Sequence, residues 1–462
     1  MWAEAEPEDR KEQAKEIVMD NVALTKKLVK GCLDKGADQA EVYLETGRNL
    51  RIQVRNGEIE TVQEAATHGV GFRVFLGGRM AFSSCNDFSE SALENAMDKA
   101  IGFAANTTAD ENNVLPDDKG LADVSGLYDP KIAQVSMDEK IEMAKQVEKL
   151  AMEDSRITKS AGSGFSEGET EIYLANSSGL SKSYRETGCS IGVSVVAEKG
   201  DQKSSGGEYC SRRFFQELKP AEEIAHKAAK DAYEMLDPRM VKTQKADVIF
   251  DPDVARSVLG GILAAINGER VLQGASFLAD KMDQKIASDL VTIIDDGIRS
   301  KGMASKPFDG EGVPTQKRTI IDKGVLKGFM YNTIVAKRAG VQSTGNASRG
   351  GFRSLPGIGA HNFFMAAGSH NPEDIIKATK KGLYLKGVTG YGIIPVNGNF
   401  SGGASGFWIE NGKIAFPVKG LTIAGTAFEM LNAIDMVGND LDLNRSFTAP
   451  TFRIKSLQIG GE

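Results

Sequence analysis

Apolar and polar positions along this chain recur with two periods, and the switches between them mark out its elements. From Val22 the apolar residues Leu24, Leu28, Val29, Cys32 and Leu33 follow helical spacing, and Gly36 ends that helix. Residues 41–45 alternate as a strand. Leu50, Ile52 and Val54 then alternate with Arg51, Gln53 and Arg55, the pattern of a strand buried on one face. Asn56-Gly57 is a two-residue hairpin turn, from which 59–65 returns. Residues 68–76 and 80–84, joined by Gly77-Gly78, form a second hairpin, and Asp87 caps a helix that ends at Ala104.

A polar, turn-rich linker covers 106–130, and the pattern then restarts. Ser136 opens a helix with Glu139 at the capping-box position. Strands follow at 170–176, 181–185, 190–198 and 208–215, and a helix over 220–236 closes the unit. Helix, four strands, helix thus occurs at 22–104 and again at 136–236. Two readings are open: an internal repeat forming one continuous sheet faced by helices, or a common α+β order met by chance.

Pro238 closes this region. Residues 246–250 read as a strand, and Asp251 or Asp253 caps an apolar helix over 254–266. Strands and glycine loops dominate beyond it, at 290–295, 319–322 and 325–331, with helices over 372–382 and 426–436. Ser401 to Gly406 is a run of small residues in which the backbone can turn tightly or approach something closely. A strand begins at Phe407, turns at Asn411-Gly412 and runs back over 413–418. The fold class is therefore α+β. A disordered or frayed tip is expected at 1–20, an α/β sheet domain at 21–238, and a mostly β domain of sandwich or barrel type at 239–462. A length of 462 residues, too great for one core, agrees with two domains.

Charge narrows the function classes. The net charge is −7, and Lys and Arg are scattered, so nucleic acid is not an expected partner. No window has the roughly 18 apolar residues of a membrane span, and residues 1–16 lack the apolar stretch of a secretory leader. Cys32, Cys85, Cys189 and Cys210 form no CxxC and read as small buried hydrophobes in a reducing compartment, so a cytoplasmic location is expected.

Candidate chemistry is sparse. His68, His226, His361 and His370 have no second histidine at helical spacing, and a metal site needs at least three converging ligands. His361, beside Asn362 at the edge of a glycine-rich run, is the one to watch. The GxSxG string at 164–168 lacks the strand-serine-helix setting of a nucleophile elbow and reads as a loop. Residues 339–368 carry Arg349, Arg353 and many glycines. Such a stretch either docks a peptide or its carboxylate, or is a flexible surface loop.

Several blocks together resemble one family. Residues 398–412, GNFSGGASGFWIENG, are similar to the C-terminal signature of the TldD/PmbA family. Pro417-Val418, residues 422–425 (TIAG) and 436–440 (MVGND) continue it, and 306–312 (KPFDGEG), 343–345 (STG) and 54–60 (VRNGEIE) add further matches in order. The resemblance implies one of two branches. TldD-like chains carry HExxxH on the helix that opens the second domain and a cysteine in a late loop, together holding zinc. PmbA-like chains, also called TldE, lack these ligands and pair with a TldD-like chain in a protease acting on peptides and small unfolded proteins.

Here Leu259, Gly260 and Ala264 stand where the two histidines and the glutamate would be, and the late loop 441–450 has no cysteine. The resemblance thus implies a catalytically silent PmbA/TldE-like subunit. It would bind no cofactor itself, with zinc in a TldD-like HExxxH partner, and would form a heterodimer with that partner or a homodimer when alone. No catalytic or metal-binding residue is assigned. Arg349, Arg353, His361, Asn362, Ser401 and Ser405 are put forward for peptide or partner contact. The alternative is a stand-alone homodimeric hydrolase, or a peptide-binding module, with its site in the 339–368 loop.

Overall fold

The computed structural model describes residues 7–390 and 392–462, with side chains from Asn21 onward. Of the tip expected at 1–20, residues 1–6 lie outside the described residues. Directly after them begins helix α1 (Pro7–Asp34), followed by β1 (Gln39–Arg55), β2 (Glu58–Leu76), β3 (Arg79–Cys85) and α2 (Glu90–Ala104). The same order returns as α3 (Met137–Ala151), β4 (Ile157–Asn176), β5 (Ser181–Lys199), β6 (Gln202–Arg212) and α4 (Ala221–Tyr233).

These six strands form one antiparallel sheet in the order β3-β2-β1-β4-β5-β6, so each unit reads outward from a shared centre. That centre is the β1–β4 pair, in unbroken register from Glu41↔Asn176 to Val54↔Ser163. The repeat holds, but with three long strands per unit where the sequence suggests four short ones. Polar breaks such as 46–49 stay extended because strands on both sides satisfy their backbone groups.

The GxSxG string is likewise strand, inside β4, and not a loop. Phe165 points to the helices, while Ser166 points to the other face and its Oγ lies 2.8 Å from Ser190 Oγ. All the helices of this region cover one face of the sheet. Val42, Leu44, Phe72 and Val74 pack on α1 and α2, and Leu50, Ile52, Phe165 and Ile191 pack on α3 and α4.

The C-terminal region continues with β7 (Gln244–Phe250), α5 (Pro252–Ala265), α6 (Gly268–Leu272), β8 (Ile293–Asp296), β9 (Lys317–Asp322), β10 (Val325–Leu326) and α7 (Thr333–Arg338). Next come β11 (Ala347–Ser348), β12 (Gly357–Ile358), β13 (Asn362–Met365), α8 (Pro372–Lys377) and β14 (Lys381–Thr389). The chain ends with β15 (Asn399–Glu410), β16 (Lys413–Thr426), α9 (Ala427–Asn432), β17 (Ile434–Val437), β18 (Phe447–Thr448) and β19 (Phe452–Gly460).

β16, β15, β14, β7 and β19 close through β16–β19 pairing into a five-stranded barrel with β17 attached, and β10-β9-β8-β13-β18 form a second sheet. The run 401–406 lies within β15, where a Cβ on Gly406 would sit 2.0 Å from the Tyr384 carbonyl oxygen, so close approach rather than turning explains the glycine. The helices expected at 372–382 and 426–436 are shorter because Lys381 already pairs in β14 and Ile434 in β17.

The uncovered face of the sheet is divided in two. Its inner half carries the C-terminal region through an apolar cluster of Tyr43, Ile172, Leu174, Leu180, Phe308 and Phe352. The Phe352 ring packs on Gly69, where a Cβ would fall 2.2 Å from it, and the Phe352 carbonyl oxygen lies 2.3 Å from where a Cβ on Gly71 would stand. Beside this cluster the Arg73 guanidinium is fully desolvated. It grips Glu41 through Nε (3.1 Å) and Nη2 (2.7 Å), and Glu311 of the C-terminal region through Nη1 (2.8 Å). Arg349 closes the group with a very short contact to Glu41, and Glu311 also accepts from the Thr333 amide at 2.7 Å. Glu41 and Arg73 are cross-strand partners, so the register of β1 and β2 sets this clamp.

Asp309 stands next to it, buried and accepting the amides of Glu311 (2.9 Å), Val313 (3.0 Å) and Ala347 (2.8 Å). Burial and the Glu311 charge push its carboxyl up to about 7, against the opposing effect of those amides.

Two predictions follow from the clamp. Glu311→Ala leaves Arg73 short of a buried counter-charge, and thermal or urea unfolding should show a loss of about 3–5 kcal/mol. For Asp309, the folded protein binds the proton more tightly than the unfolded chain, so its contribution to stability is full below 3.8 and is lost as pH rises to about 7. The melting temperature of the native chain relative to Asp309→Asn should therefore fall as pH rises through that window.

Candidate functional site

Beyond the clamp the two regions part, leaving a cleft of about 720 Å³ between β6 and α4 on one wall and α5, β14 and β15 on the other. α5 begins at this cleft for a local reason. Asp251 caps it, accepting the Asp253 amide at 3.0 Å, and Pro252 fills the first turn, where no amide partner is needed. The second Asp251 oxygen accepts from the Tyr384 hydroxyl (2.8 Å) and from Lys386 Nζ (3.1 Å). Burial, then the Asp251 charge, raises the Tyr384 hydroxyl well above its ordinary range, so it stays a neutral donor.

Lys386 also lies 3.6 Å from Asp231 on α4, so it bridges the two walls. Arg445, from the loop between β17 and β18, makes the second bridge. It reaches Asp253 at 2.5 Å and Glu208 of β6 at 3.7 Å, with its guanidinium 5.4 Å from the Tyr209 ring centre. Burial opposes ionisation of Asp253, yet the Arg445 charge and hydrogen bond, with Lys227 and Lys386, hold its carboxyl below the usual range. Glu208 is shifted the other way: burial outweighs Lys227 and Arg445 and raises it.

The residues proposed from sequence are dispersed. Arg349 is buried in the clamp, donating to the carbonyls of Gly310 (2.6 Å) and Ser354 (2.9 Å) as well as to Glu41. His361 is buried too; its amide donates to Asp295 at 2.7 Å, and its Nδ1 lies 3.3 Å from the other oxygen of that carboxylate. Asn362 donates to the Asp296 carbonyl (2.6 Å) and to Ser305 Oγ (2.8 Å), and accepts from the Ala304 amide (3.1 Å). Arg353 is exposed beside the Phe352 ring, and Ser401 is exposed on β15. Ser405 lines the cleft. The 339–368 stretch is thus packed against the sheet around Arg349 and Phe352, with Arg353 reaching solvent.

Three family models match the chain in order: PmbA/TldA metallopeptidase domain 1 at residues 40–104, the central domain at 130–236 and the C-terminal domain at 243–461. "Metalloprotease PmbA" of Escherichia coli O157:H7 is 32% identical over 92% of this chain and 93% of its own length. The chain belongs to the PmbA/TldD family.

Within the family it falls in the PmbA/TldE-like branch. A PmbA homologue of Haemophilus influenzae is 30% identical over 92% of the chain and 93% of its own length, against 26% for the TldD homologue of the same organism, which is matched over 89% and 87%. TldE of Thermococcus kodakarensis superposes with a TM-score of 0.86 at 25% identity, covering 94% of this chain and 99% of that one. A Bacteroides thetaiotaomicron protein provisionally named as a modulator of DNA gyrase superposes at 0.88 with 29% identity, covering 96% and 99%.

The family's metal can be tested against the residues of α5. Leu259 is fully buried among hydrocarbon, Ala264 offers a methyl group, and a Cβ built on Gly260 meets nothing within 4 Å. Zinc is held by lone pairs of nitrogen, sulfur or oxygen, and these three positions have none on their side chains, so they do not fit it. Among the described residues no three His, Cys, Asp or Glu side chains gather as metal ligands. His68 stacks on Phe88 with ring centres 3.7 Å apart, and His370 Nδ1 lies 3.2 Å from the Val437 carbonyl oxygen.

Sequence reasoning missed Tyr209, Lys386 and Arg445. They come from β6, β14 and a late loop, and each looks like an ordinary surface residue until the walls meet. Removing one bridge tests the cleft. Arg445→Gln should destabilise the protein by about 1–3 kcal/mol at neutral pH. The difference from the native chain should shrink as pH falls below about 4, where a protonated Asp253 no longer needs a counter-charge.

Proposed function

We propose that this chain is the catalytically silent subunit of a TldD/TldE-type zinc metalloprotease, supporting proteolysis of peptides or small unfolded proteins by an HExxxH-bearing, TldD-like partner in the cytoplasm. The observation that carries the reading is the donor-free set Leu259, Gly260 and Ala264 on α5, which cannot activate water as a zinc-bound site does. Membership of a family whose relatives are named metalloproteases supplies the reaction class. The existence of both TldD and TldE relatives supports the pairing. Zinc belongs to the partner on this reading. Arg353 and Ser401, both exposed, are the residues through which peptide or partner contact would be made, with Ser405 in the cleft.

Free thiols at Cys32, Cys85, Cys189 and Cys210 suit a reducing compartment. Among the described residues no helix is long and apolar enough to cross a membrane. Coexpression with an HExxxH-bearing sister should give one coeluting complex that carries zinc and degrades casein, while this chain alone elutes without stoichiometric metal or activity. A zinc-loaded, proteolytic homomer would overturn the proposal.

A further inference from the structure

The cleft carries more positive charge than its own carboxylates neutralise. Lys203, Arg256, Lys386, Lys419 and Arg445 line it against Glu208, Asp231 and Asp253, in a chain whose net charge is −7. Three of these cations are engaged: Lys203 with Glu198 at 3.1 Å, and Lys386 and Arg445 in the bridges described above. The other two are not. Arg256, one turn into α5, spends only Nε, on the Asp253 carbonyl at 2.8 Å; among the described residues its two amino groups have no acceptor. Lys419 on β16 is exposed and has no carboxylate partner among the described residues.

The cleft does not end there. Gly207, Glu208 and Tyr209 also border a trough of about 540 Å³ across β1, β4, β5 and β6, on the outer half of the uncovered sheet face. Gly164, Ser166, Gly192 and Ser194 line its floor, and Tyr209, 50% exposed, stands where trough and cleft join. Along β4 and β5 this floor carries only small side chains and admits an extended backbone close to the strands, while Arg51, Gln53 and Arg55 of β1 border it. In the adjoining cleft the forked guanidinium of Arg256 and the ammonium of Lys419 present the donors a carboxylate accepts.

We propose that this cleft captures the C-terminal carboxylate of an extended peptide, with Arg256 and Lys419 as its counter-charges and the trough holding the preceding residues. The inference rests on the subunit reading above and gives that subunit a defined hold on substrate. A polyanion is disfavoured, because Glu208, Asp231 and Asp253 line the same walls, whereas a single carboxylate can sit against Arg256 alone.

The test uses the isolated full-length chain and a short fluorescein-labelled peptide of Ala, Ser and Val, made with a free C-terminus and as the C-terminal amide. Fluorescence anisotropy should show the free acid binding about tenfold more tightly than the amide. Arg256→Gln should reduce that ratio to less than about twofold, and Lys419→Gln should give an intermediate value. Arg256 is exposed and its one hydrogen bond among the described residues is to a backbone carbonyl, so the variant keeps its fold, which circular dichroism checks. Equal binding of acid and amide, no binding of either, an unchanged ratio in Arg256→Gln, or displacement by inorganic phosphate at concentrations where acetate has no effect would each overturn the proposal. No partner or zinc is needed, so a failure here is distinct from a failure to coelute with a sister chain.

Discussion

A guanidinium removed from water must find its counter-charges nearby, and Arg73 finds them on both sides of the boundary between the sheet and the C-terminal region. Glu41 comes from the neighbouring strand and Glu311 from a loop far along the chain, with Arg349 behind them. Two guanidiniums and the carboxylates of Glu41, Glu311 and Asp309 leave little freedom for rotation at this boundary, because any slippage strands a charge in a dry setting. The apolar contacts of Phe308 and Phe352 beside it supply burial, while the ion group dictates orientation. The width of the cleft farther along the same boundary depends on that orientation.

The sheet can serve two masters because its faces are chemically distinct. Even-numbered residues of β1, such as Val42, Leu44, Leu50 and Ile52, meet helices along its length. Odd-numbered residues change character along the same strand: Glu41 and Tyr43 dock the C-terminal region, while Arg51, Gln53 and Arg55 line the open trough. Duplication of the helix–strand unit makes the sheet wide enough for both uses. The pairing of β1 with β4 at its centre has no loose edge at which the two copies could separate.

α5 keeps the family fold with side chains at 259, 260 and 264 that offer no metal donor. Its capping by Asp251, its Pro252 start and its packing through Val258, Leu259 and Ile262 all favour the same helix without any metal ligand. The late loop that meets it delivers Arg445, a charge that closes a wall of the cleft, in a stretch where the TldD-like pattern calls for a cysteine. On the proposed reading, this region shapes and holds and leaves the bond-breaking step to another chain.

Much of this was legible from local chemistry. The period of apolar residues marked the helices, Asn56-Gly57 and Asn411-Gly412 placed the hairpin turns, and Ser136 and Asp251 stand at helix starts, whereas Asp87, expected as a cap, lies two residues before the N-cap Ser89 and accepts its amide. These signals act over a few residues, so the chain carries them wherever it is. The ordered blocks from 54 to 440 likewise pointed to the family, and the lack of donors at 259, 260 and 264 is a property of residue type alone. Continuity of the long strands was not legible, because it depends on partners that satisfy polar breaks from outside. Nor was the fate of Arg349 and His361, whose partners Glu41 and Asp295 lie far away in the chain. Whether a charged residue becomes a buried tie or an open counter-charge is decided by what stands within a few ångströms of it, and only the folded chain sets those neighbours.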